Sequence, residues 1–106
     1  MPAMVVYVTA SSSEEASAIG RIVVGERLAA CANIVGGIRS IYWWEGRLTE
    51  DDEILLILKT RESCLAALLD RIRALHSYAT PCITSWPIPA GNADYLAWIE
   101  AETIAD

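Results

Sequence analysis

Three side chains in this 106-residue chain are the best suited to hold a soft metal ion or to act as nucleophiles: His76, Cys31 and Cys82. Imidazole and thiolate suit Cu(I), Zn(II) and similar ions. The same groups also make thiolate–imidazole nucleophiles. Here no Gly-rich nucleophile turn and no third orienting group accompanies them, and no GxxxxGK[ST] phosphate loop is present. A binding role is therefore expected, not an enzyme. Three cysteines without a CxxC pair do not suit a disulfide framework, so reduced thiols and a cytoplasmic location are expected. A harder cation could be drawn to Glu50-Asp51-Asp52-Glu53, but this run lacks the Gly and the spaced ligands of a calcium loop. It reads as a solvated connection. Each candidate also has a plainer role. His76 suits a helix C-terminus, where it would bond the last carbonyls. Cys31, Cys64 and Cys82 suit small buried packing positions.

Composition limits the partners. Eight basic and fourteen acidic residues leave a net charge of −6, which argues against nucleic acid and against an anionic membrane surface. No transmembrane span is expected. The longest charge-free stretch, Ala74 to Ala93, contains Pro81, Pro87 and Pro89. Met1 to Ala10 carries no basic residue and does not read as a secretory signal. The apolar fraction is 54%, high for one small domain, so either apolar surface stays exposed or a subunit interface hides it.

The elements that position these residues follow from periodicity. Met4–Thr9 reads as a strand. Ser11 with Glu14, or Ser12 with Glu15, fits a capping box, and a helix to about Leu28 should follow, with Ala16, Ile19, Gly20 and Val23 inward. Gly20 would let that helix lie close to a sheet. Ala30–Trp44 turns extended with a bulge or bend at Gly36-Gly37. After a turn at Glu45-Gly46-Arg47, Ile54–Leu58 completes a long hairpin. Thr60 is expected to cap the next helix, striped by Leu65, Leu68, Leu69, Ile72 and Leu75. Cys82–Trp86 reads as a short strand bounded by prolines. Asn92 caps a last helix whose apolar face is Tyr95, Leu96, Trp98 and Ile99. The order βαββαβ plus a C-terminal helix is the α+β, ferredoxin-like arrangement, one domain over residues 1–106. In it, the end of the first strand, the end of the second helix and the start of the fourth strand share one end of the sheet. Thr9, His76 and Cys82 should meet there, with Cys31 at the opposite end.

Five segments resemble the CutA family, the divalent-cation tolerance proteins. They are Arg27–Ile34 ("RLAACxNI"), Ser40–Gly46, Glu53 with Leu56–Thr60 ("E…LxxKT"), His76–Pro81 ("HPYxxP") and Tyr95–Trp98 ("YLxW"). They stand in the family's order across nearly the whole chain. The resemblance implies a homotrimer similar in architecture to the PII signalling proteins, with the long hairpin reaching to neighbouring subunits. It also implies a role in tolerance to divalent cations, copper among them. His76 and Cys82 are then the metal candidates, with copper or another divalent ion as the bound species. Cys82 stands where relatives usually carry Glu. Val8 and Leu75 stand where some relatives proposed to bind copper carry Cys and a second His. The analogy with PII-type trimers implies a second possibility. An intersubunit pocket lined by Trp44, Glu45, Lys59 and Tyr78 would take a small anionic or zwitterionic effector or serve a partner protein.

Overall fold

β1 (Ala3–Ala10) sends alternate residues to opposite faces, as a strand must, and Met4, Val6, Val8 and Ala10 are buried. The chain is described by a computed structural model over residues 2–104. α1 (Ser13–Gly25) begins at the second of the two expected capping boxes: Ser12 Oγ accepts the Glu15 N–H at 3.1 Å. Its buried residues are Ala16, Ile19, Gly20 and Val23, the expected stripe. A Cβ on Gly20 would lie 3.2 Å from Cβ of Ala32 on the sheet, a tight contact, so the glycine eases the close approach of helix and sheet. The helix stops short of Leu28, because the chain turns at Arg27, whose φ is +60°.

β2 (Cys31–Trp44) and β3 (Arg47–Arg61) form the long hairpin. Its two-residue turn is Glu45-Gly46, both at positive φ (49° and 77°), which is the backbone a right-twisted hairpin needs. A 3₁₀ turn at Glu62–Cys64 leads into α2 (Leu65–Leu75); β4 (Ile83–Ile88) and α3 (Ala93–Ala101) complete the chain. The sheet order is β2-β3-β1-β4, with every neighbouring pair antiparallel. Val6, Val8, Leu56 and Leu58 share one buried cluster with Ile19 and Val23 of α1 and Leu68 and Ile72 of α2. Both helices therefore lie on one face, as the ferredoxin-like arrangement requires. Each such side chain contributes roughly 1.5–3 kcal/mol on burial.

Four local expectations are corrected. Glu50–Glu53 is not a connection: it lies inside β3, paired with Ile38–Ile41 of β2. Arg39 makes this possible, reaching Glu50 at 3.0 Å and Asp52 at 3.2 Å across the strands. Thr60 does not cap α2. It ends the buried row of β3 and donates its hydroxyl to the Leu28 carbonyl at 2.6 Å. β4 begins one residue later than expected and includes Pro87, tolerated because β4 is an edge strand. On α3, capped by Asn92, Ile99 is buried, whereas Tyr95 and Trp98 stack on each other in the open at 5.5 Å. All four tryptophans, Trp43, Trp44, Trp86 and Trp98, are 40% exposed or more.

Candidate functional site

The face of the sheet away from α1 and α2 carries the site, and a bulge decides which residues reach it. Val35 pairs with Leu55, but the next pair is Ile38 with Glu53, so β2 holds one extra residue. Gly37, at φ +78°, takes the left-handed conformation this requires. Side chains alternate along a strand, so the extra residue reverses parity. Ser40, Tyr42 and Trp44 thereby join Glu53 and Asp51 of β3 and Tyr7 and Thr9 of β1 on the open face. They bound a cleft of about 550 Å³, to which Tyr78, from the loop after α2, and Cys82 also contribute.

Inside the cleft each carboxylate is held by a tyrosine. The Tyr78 hydroxyl donates to Glu53 Oε2 at 2.8 Å, and the Tyr42 hydroxyl donates to Asp51 Oδ2. Burial, then the hydrogen bond to Glu53 and its negative charge, push the Tyr78 phenol well up. For Tyr42 the bond to Asp51 is the main cause of an upward shift. Both phenols therefore stay protonated and donating at neutral pH. Among the described residues, no Lys, Arg or His lines the cleft.

His76, Thr9 and Cys82 meet at the end of β1 as expected. The Thr9 N–H donates to the Cys82 carbonyl at 3.4 Å. The His76 ring, buried, bridges two backbone groups: its Nδ1 accepts the Tyr78 N–H at 3.1 Å, which leaves the proton on Nε2 to donate to the Thr9 carbonyl at 2.7 Å. The ring also packs on Tyr78, centroids 4.6 Å apart. Its backbone N–H bonds the Ile72 carbonyl, which ends α2. Cys82 is exposed rather than a buried packing residue. Among the described residues, no group of three or more His, Cys, Asp or Glu side chains is gathered to hold a metal.

Of the four residues expected in a pocket, Trp44 and Tyr78 line this cleft. Glu45 sits at the hairpin tip, and Lys59, bonded to Asn33 Oδ1 at 2.8 Å, lies further along β3. Cys31 lies at the far end of the sheet, where its Sγ is 3.4 Å from the Tyr95 hydroxyl. That bond helps push the Tyr95 phenol up to about 12. Cys64 is buried and donates to the Ile104 carbonyl. Sequence reasoning missed Asp51, which looked like part of a connection, and Glu15. The Glu15 carboxylate accepts the Ser77 N–H at 2.8 Å and two bonds from Ser11, and its Oε2 lies 3.9 Å from His76 Nδ1. Burial alone would raise its pKa, but these donors hold it below the ordinary 4.5. The capping box was the available signal: it fixed Glu15 at the end of the sheet where His76 arrives.

Comparison with known proteins gives a consistent family. The model of the CutA1 divalent ion tolerance protein family matches residues 4–102. The chain is 47% identical over 103 residues to "Protein CutA 1, chloroplastic" of Oryza sativa subsp. japonica, covering 97% of this chain and 58% of that protein's length. It is 46% identical over 99 residues to the divalent-cation tolerance protein CutA of Thermus thermophilus, covering 93% of this chain and 96% of the other. The crystal structure of CutA1 from Oryza sativa superposes with a TM-score of 0.94 at 46% identity, over 98% of this chain and 95% of that one.

Proposed function

This chain belongs to the CutA1 divalent ion tolerance family, and from that premise we propose that it acts as a homotrimer that binds copper or another divalent ion weakly. His76 and Cys82 are the donors, and a neighbouring subunit completes the site. The observation that carries the reading is that the His76 imidazole and the backbone of Cys82, whose residue is exposed, both bond the main chain of Thr9 at one end of the sheet. The exposed thiol is the entry ligand. The imidazole follows only by giving up the Tyr78 N–H or the Thr9 carbonyl, which makes the site weak. The role is binding, without a catalytic step. Three free thiols suit a reducing cytoplasm, and among the described residues no helix is long and apolar enough to cross a membrane.

The trimer rests on what one subunit leaves uncovered. The molecule is drawn out to 44 × 25 × 22 Å, and its hairpin exposes Ile41, Trp43, Trp44 and Leu48. Apolar surface of this kind is covered by a partner in stable proteins. Light scattering at low concentration should give the mass of three subunits; a single-subunit mass would sink the assembly. Titration with Cu(I), Cu(II) and Zn(II) should show binding that Cys82→Ser and His76→Ala weaken. Identical binding by all three proteins removes the metal site. The cleft supports a second reading: a PII-like adaptor that takes a small effector between subunits, beside Trp44 and Tyr78.

A further inference from the structure

The cleft between the hairpin and β1 is built for positive charge. Its walls hold the rings of Tyr7, Tyr42, Trp44 and Tyr78 and the carboxylates of Asp51 and Glu53. Glu53 is only 7% exposed, yet its one hydrogen bond comes from a neutral phenol, Tyr78. Among the described residues no cationic side chain lies within 4 Å of it; the nearby Arg39 is committed to Glu50 and Asp52. A carboxylate removed from water without a counter-charge is costly unless something supplies that charge. Within one subunit the counter-charge is missing, and a cationic ligand entering the cleft would supply it.

The chemistry around Glu53 selects the kind of cation. A bare metal ion wants several oxygen or sulfur donors at short range, and no such group is gathered here. An organic ammonium ion wants a carboxylate for its charge and aromatic faces for its alkyl or aryl part. Four rings and two carboxylates in about 550 Å³ offer both, within the usual size of a small-molecule site. We propose that this cleft binds a small organic ammonium cation, its nitrogen against Glu53 and Asp51 and its carbon skeleton among Tyr42, Trp44 and Tyr78. This deepens the effector reading and rests on it, while replacing the anionic or zwitterionic ligand with a cationic one.

Phenethylammonium, phenethyl alcohol and phenylpropionate test the idea, because they present similar skeletons with positive, zero and negative charge. Calorimetric titration of the assembled protein should show the ammonium ion binding about tenfold or more tightly than the alcohol, and the carboxylate not at all. Glu53→Gln keeps the shape and removes the charge, so it should weaken the ammonium ion about tenfold or more while leaving the alcohol unchanged. Asp51→Asn should act in the same direction and guards against a folding defect in either variant, which circular dichroism checks. Equal affinity for the alcohol and the ammonium ion, or unchanged affinity in both variants, overturns the proposal. Binding of the carboxylate alone overturns it too but leaves the effector reading standing. Binding of none of the three overturns the ammonium site, and a broader metabolite screen then decides the effector reading separately.

Discussion

Removing one hydroxyl should reveal the condition of Glu53. Tyr78→Phe keeps the ring that packs on His76 at 4.6 Å and deletes the donor that lies 2.8 Å from Glu53 Oε2. A carboxylate that is 7% exposed then loses its hydrogen bond. Stranding a buried polar group costs about 1–3 kcal/mol, with charged acceptors toward the upper end. In a domain of this size each kcal/mol moves the melting temperature by about 4–8 °C, so a loss of about 2 kcal/mol lowers it by about 8–16 °C. Glu53→Gln behaves differently, because its amide oxygen still accepts from Tyr78 and a buried charge disappears. It should cost less than about 1 kcal/mol. Combined, the two changes should cost about 1–2 kcal/mol less than their sum, since the group that Tyr78→Phe strands is no longer charged. Denaturant unfolding at one fixed protein concentration measures all four proteins; the concentration matters because assembly adds to apparent stability. A Tyr78→Phe protein within about 0.5 kcal/mol of wild type, or strictly additive variants, would refute the reasoning.

Three further outcomes follow from the local geometry. The Glu15 carboxyl is held below its ordinary 4.5 by Ser77 and Ser11, so the stability it adds is full above that value and is lost as pH falls through the folded one. Between about pH 5 and about pH 3, wild type should therefore lose more stability than Glu15→Gln, and parallel curves would count against the assignment. Glu45 holds φ at +49° in the hairpin turn, a conformation Asn tolerates better, so Glu45→Asn should raise the urea midpoint by the equivalent of about 0.5–1 kcal/mol. Gly37→Val forces a β-branched residue to φ +78° and should cost about 1–3 kcal/mol, measured in the same way. A neutral Gly37→Val would mean that the bulge does not need this conformation.

Local signals carried the fold. Ser12 and Glu15 marked a helix start, spacing gave the inward stripes of α1 and α2, and Gly20 marked close packing on Ala32. The site was half legible. Topology alone brought Thr9, His76 and Cys82 together, because strand and helix ends share one edge of the sheet. Glu50–Glu53 was misread because four consecutive acids have poor strand propensity; Arg39 on the facing strand supplies the compensation, and a single-strand reading does not see it. The Tyr78–Glu53 bond spans 25 positions and the His76–Thr9 bond 67, separations at which periodicity carries no information. The glycine pair announced a bulge, but which face Tyr42 and Trp44 would reach depended on the register, and that is fixed by the pairing of Ile38 with Glu53.

Tyr78 belongs to both proposed sites, and this ties them together. Its backbone N–H occupies His76 Nδ1, while its hydroxyl holds Glu53 in the cleft. A metal ion bound at Nδ1 has to displace that N–H, which moves the residue that orients the cleft's buried carboxylate. A ligand that tightens the cleft around Tyr78 keeps the N–H on the imidazole and opposes the metal. Binding free energies are reciprocal, so whatever factor one ligand imposes on the other is imposed in return. The proposed metal site and the proposed ammonium site would then be two ends of one short lever. If His76 binds a metal, its engagement on both nitrogens, one of them through Tyr78, would keep that binding weak.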